Sequence, residues 1–167
     1  MEPSRSPFTI LTGIALIVLP LLALGLKLFS FGWMMVFLLF GPVLMLAAGY
    51  VLQLVIAAQG FLRRGGPIRE PRARIRANAA AWTTSLGIVA LGVFMPDGGD
   101  TGYGSTLQVW LGAYGSSDGA TAMHEATDGL TEALAWIAAA AWIGGFVWLF
   151  VEWVIGLAER RRLRRAG

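Results

Sequence analysis

Glu152 is the acidic side chain set deepest within a long apolar run of this 167-residue chain. An ionisable group at such a place points to proton or cation movement, or to a carboxylate held at the membrane interface. It lies about five residues from the end of its run, close enough to reach interfacial water or the arginines at 63, 64 and 160. Gln53 sits at similar depth on a second run. On a third, Asn78, Ala81, Ser85, Ile88 and Gly92 recur at steps of three and four and form one narrow face. That face reads as a packing seam, with a polar pore-lining strip as the alternative. Glu152, Gln53, Asn78 and Ser85 are therefore the candidate polar or transport site, and no charge falls at the middle of any run.

A second constellation is His124-Glu125-Ala-Thr-Asp128. If this stretch is helical, His124 and Asp128 stand one turn apart, a spacing that suits two metal ligands. A catalytic zinc site normally takes three, and the His-Glu-x-x-His pair is missing, so no metal site is assigned. Asp128 is equally suited to cap a helix beginning at Leu130. The chain has no cysteine and one histidine, which excludes disulfides, thiolate metal sites and a bis-histidine haem held by one copy. No phosphate-binding glycine loop, serine elbow or paired carboxylate motif is present. An enzyme is not expected, nor is a cofactor.

These residues must be carried by four apolar stretches, approximately 8–29, 33–62, 77–95 and 130–157. Each is long enough at ~1.5 Å per residue to cross a ~30 Å hydrocarbon layer. With 56% hydrophobic and 14% charged residues, the expected fold is an all-α, four-transmembrane-helix bundle, a single membrane domain over residues 1–167. Pro20 and Pro42 predict kinks at similar depth in the first two spans. The fourth span offers small residues four apart, Ala140 with Gly144 and Ala141 with Gly145, that would let another helix approach closely.

Charge sets the orientation. The basic loop 63–76 holds six arginines and the tail 158–167 five, whereas the loop 96–129 has no Lys or Arg and carries Asp97, Asp100, Asp118, Glu125 and Asp128. The positive-inside bias puts both termini in the cytoplasm, in agreement with Arg5, and the 96–129 loop outside. Lys27 dissents, and is expected to snorkel to the headgroups. Arg63, Arg64, Arg160, Arg161 and Arg162 should contact anionic lipid headgroups; nucleic acid is a poor rival, since no aromatic stacking platform accompanies them. The run from Thr106 to Tyr114 is too short to span, and lies on the membrane surface, over the bundle mouth or against a partner. Twelve arginines against one lysine suggest a bacterial plasma membrane. The reading that follows is a non-catalytic membrane protein acting by association, as an accessory or scaffold subunit or with itself. The alternative is a small homo-oligomeric channel or transporter.

Overall fold

Prolines set the helix boundaries. The computed structural model describes residues 6–68, 70–99, 102–113 and 117–166, and Arg5, Arg69, Asp100 and Tyr114 lie outside the described residues. Helix α1 (Pro7–Lys27) opens on Pro7 and α4 (Pro71–Phe94) on Pro71, at a helix position where the missing N–H would have had no partner. A 3₁₀ turn, Leu28–Ser30, ends α1; α2 (Trp33–Phe40) and α3 (Val43–Ile56) follow, and α3 widens into a π-helical segment, Ala57–Leu62. Two short strands, β1 (Asp97–Gly99) and β2 (Gly102–Gly104), form an antiparallel hairpin. Then come α5 (Thr106–Trp110) and α6 (Asp118–Ala166).

The chain is mostly helical, and four of its helical segments are long and apolar enough to cross a membrane: Pro7–Ser30, Val43–Leu62, Pro71–Phe94 and Asp118–Arg165. Their limits differ from the sequence reading in three ways. The second stretch is not one kinked helix from 33 to 62, because Gly41 leaves helical geometry (φ −121°, ψ −85°) and α2 stops there. The third starts at Pro71, so the arginines at 72, 74 and 76 ride on its first turns. The fourth is a helix of 49 residues, roughly 73 Å long at ~1.5 Å per residue. It takes in both the end of the acidic loop and the arginine tail, so Asp128 lies inside the helix and is no N-cap.

Helix α4 lies between α1 and α6, which run parallel and antiparallel to it respectively. Its low hydrophobicity fits that place, since more of its surface is buried against other helices than that of the other three long apolar helices. On α6 the residues turned inward are Thr131, Ala135, Ala138, Trp142, Gly145, Leu149, Glu152 and Gly156. That is an unbroken alternation of four and three, the seam of a left-handed helix pair. Small residues on α4 meet it: a Cβ on Gly87 would come within 2.5 Å of the Trp142 backbone nitrogen, and one on Gly145 within 2.7 Å of the Thr84 nitrogen. Against α1 the same helix closes through Gly92, where a Cβ would lie 2.7 Å from the Ala23 carbonyl oxygen. Leu16, Ile56, Ala57, Phe61, Ala77, Ala80, Ala81 and Leu149 fill the centre.

The hairpin end of this bundle is closed by polar contacts. Asp97, buried, accepts hydrogen bonds from the amides of Gly32, Met34 and Met35 at 2.8–3.2 Å and so caps the start of α2, whose orphan N–H groups have no intrahelical partner. Ser105 and Gln108 form a reciprocal capping box on α5. The Thr106 hydroxyl stands 3.1 Å from the carbonyls of both Leu26 and Gly92, in the last turns of α1 and α4. The 106–110 segment thus sits over the mouth of the bundle.

Candidate functional site

Glu152 faces α4 and is almost fully enclosed, 7% exposed. Its partner is Arg76, with Nε 2.6 Å from Oε1 and Nη2 3.1 Å from Oε2, and the Trp148 indole N–H donates to Oε1 at 3.3 Å. The planar guanidinium fork matches both carboxylate oxygens at once. The reading that gave Glu152 to Arg63, Arg64 or Arg160 is corrected: the antiparallel crossing of α4 and α6 brings Arg76 opposite it. Sequence reasoning passed over Arg76 as one of six loop arginines, and only the helix pairing separates it from them.

Gln53 does not join Glu152. Its Nε2 donates to the Leu16 carbonyl of α1 at 2.8 Å, and Tyr50 donates to the Ile17 carbonyl at 2.8 Å. The reason lies four residues on from Leu16. Pro20 has no N–H to give to that carbonyl, and its ring crowds the same turn. Gln53 supplies what the proline withholds, which is how a membrane helix tolerates one, and Tyr50 adds a second bond to the same turn. Asn78 and Ser85 stay on α4 without converging on either group; the Asn78 Oδ1 and the Ser85 hydroxyl are enclosed with no hydrogen-bond partner among the described residues. The four candidate polar residues are thus distributed over three separate places.

The small residues of α6 divide by face. Gly145 closes on Thr84, whereas Gly144 has nothing within 4 Å of where a Cβ would stand, and Ala140 is exposed beside it. Ala141 is half-buried and borders a cleft of about 330 Å³ with Thr83, Gly87, Ala90 and Ala138. Gly144 and Ala140 thus turn away from α4, and the inward small positions of α6 are Ala135, Ala138 and Gly145.

Lys27 departs from expectation as well. Its ammonium is turned inward, 6% exposed, and donates to the Ser30 hydroxyl at 3.0 Å and the Met95 carbonyl at 2.6 Å. Since α1 and α4 are parallel, the partially negative C-terminal ends of both point here, and a cation between them is favoured. Nearby, His124 Nε2 lies 3.8 Å from Asp128 Oδ1, and its ring meets Tyr103 edge-on at 5.8 Å. Burial, then the carboxylates of Asp128, Glu132 and Asp97, push the Tyr103 phenol above its ordinary value. No group of three or more His, Asp or Glu with metal-binding geometry occurs among the described residues.

Arg63 and Arg64 are exposed at the opposite end, as are Arg161 and Arg162, while Arg160 is half-buried. No family model matches the chain, and neither the curated proteins nor the solved structures provide a match.

Proposed function

We propose that this chain acts by association, as a non-catalytic accessory or scaffold subunit of a membrane complex or as a self-associating component, in the plasma membrane of a bacterium with both termini cytoplasmic. One observation carries the proposal. Between α2 and α3 the apolar chain is uncovered on every side: Phe40 is 86% exposed, Leu44 80% and Met45 73%. In the same place the helical ladder is interrupted. Gly41 bonds back to Phe37 and Leu46 to Pro42, but Pro42 has no N–H for the Leu38 carbonyl. Hydrocarbon would leave such groups unsatisfied at several kcal/mol each, and irregular backbone at membrane depth is tolerated where protein or water covers it. At Pro20 this chain supplies its own donor; at Pro42 none is seen among the described residues, and a neighbouring chain is the donor this reading assigns.

The test is a photo-crosslinking side chain at Phe40 or Leu44 in intact membranes, with mass analysis of the adducts. A reproducible protein adduct, with loss of the complex on Leu44→Arg, is the expected result. Labelling of lipid alone would overturn the reading. The second reading, a homo-oligomeric channel or transporter, draws on the same interruption, because half-helix ends line water-filled paths in transport folds. A uniform homo-oligomer that passes ions or small solutes in vesicles would select it over the accessory role.

A further inference from the structure

The arginine tail is helical throughout, which gives its charges faces and heights that a loop would not have. A shallow cavity of about 460 Å³ runs along α6, lined by Val154, Leu157, Ala158, Arg161, Arg162 and Arg165. Its lower half is apolar and its upper half basic. Arg164 projects outside this lining and is exposed.

Heights along the helix say what such a cavity suits. Going from the centre of the α4–α6 seam toward its basic end, the Arg76–Glu152 pair is the first charged contact, and its level is taken as the edge of the hydrocarbon layer. Val154 and Leu157 stand ~3 and ~8 Å above it, and the Arg161 backbone ~13 Å. An arginine side chain reaches back by ~6 Å, bringing its guanidinium to about 7 Å. The polar headgroup layer occupies about 5–7 Å beyond the hydrocarbon on each side. A phosphate at that height receives Arg161 and Arg162, whose guanidiniums reach ~7 and ~9 Å, with Arg165 at ~13 Å adding its charge from above, while the carbon chains attached to it run down past the Leu157 side chain, which leans back toward the bundle, and past Val154. A free phosphate would use the upper half alone.

We infer that the 154–165 face of α6 is a binding site for an anionic phospholipid, its phosphate held by Arg161 and Arg162 beneath the charge of Arg165 and its acyl chains laid along Val154 and Leu157. Guanidinium forks pair with phosphate oxygens bidentately, and the apolar lining is what tells a phospholipid from a soluble anion. This site is independent of the association reading, since it lies on a different helix from the Gly41–Pro42 interruption.

The test is made on the full chain in phosphatidylcholine vesicles doped with spin-labelled phosphatidylglycerol, reading the motionally restricted fraction of the label. Two pairs of substitutions remove the same charge: Arg161→Gln with Arg162→Gln inside the cavity, and Arg72→Gln with Arg164→Gln outside it. The first should weaken retention of the labelled lipid about fivefold per arginine removed, and the second by much less. Val154→Asn, which leaves every charge in place, should also weaken it. Equal losses from the two pairs would reduce the effect to general surface charge and overturn the site. So would inorganic phosphate at millimolar concentration displacing the label as well from Val154→Asn as from the parent chain, because the acyl contacts would then contribute nothing.

Discussion

A proline within a membrane helix leaves one carbonyl without its donor, and the two long apolar segments that contain one resolve this differently. Gln53 bonded to Leu16 makes a specific prediction: Gln53→Leu should cost about 1–2 kcal/mol in an unfolding titration in mixed micelles. Pro20→Leu restores the N–H that Leu16 lacks, so the double variant should recover much of that loss, a non-additivity that a transport role for Gln53 would not produce. Glu152 and Arg76 make another. Glu152 is enclosed and Arg76 is 46% exposed, so deleting the arginine strands a buried carboxylate, whereas deleting the carboxylate leaves a cation that can turn to water. Arg76→Gln should therefore destabilise more than Glu152→Gln, measured side by side in the same micelles. That Gln53 and Glu152 are the unusual polar residues of the spans is plain in the sequence. Their partners are not, because Leu16 and Arg76 lie 37 and 76 residues away and nothing local marks them.

Helices pack by face, and spacing alone does not select the face. Ala140 to Gly144 and Ala141 to Gly145 carry the same four-residue signature, yet a 100° step separates the two lines on the helix surface. Only the second of these glycines touches α4. Gly145→Leu should therefore disrupt the α4–α6 crossing by ~2 kcal/mol or more, since the obstacle is the Thr84 backbone and not a movable side chain. Gly144→Leu should leave the folded chain intact, as read by melting in detergent; disruption by both would mean that Gly144 meets a neighbour. The apolar runs were legible because a ~30 Å layer demands length and oiliness that composition displays directly. The interruption at Gly41–Pro42 was legible only as a kink, because a proline reports that a donor is missing and not whether a neighbour replaces it. The closure of the hairpin end was hidden for a related reason. Asp97 reads as one more loop acid until the chain brings it 2.8 Å from the Met34 amide.

Across the whole molecule, the proposed orientation rests on one charge asymmetry. The segments 63–76 and 158–167 hold eleven of thirteen basic residues, and the fold gathers those among the described residues at the end opposite the β1–β2 hairpin. Lys27, the basic residue at the hairpin end, weighed against that assignment while it was read as a free surface charge. Its ammonium is instead bonded to Ser30 and Met95 where two helix C-termini meet, so it acts as a cap and its place is explained without reference to sidedness. The orientation with the arginines in the cytoplasm then has no unexplained exception. A chain without cysteine allows a clean test by single introductions, but the sites must be accessible, and Ser105 is fully buried. Ala122 and Glu159 are exposed on the two overhanging ends of the same helix α6, so a cysteine at each reports both sides of the membrane along one rigid rod. In intact cells Ala122→Cys should react with an impermeant maleimide, and Glu159→Cys should react only after the membrane is opened. The reverse pattern would invert the topology. Reaction of both in intact cells would mean that α6 does not cross, and with it the α4–α6 seam would have to lie outside the bilayer, where the exposed Trp136, Ile137 and Val147 would stand in water.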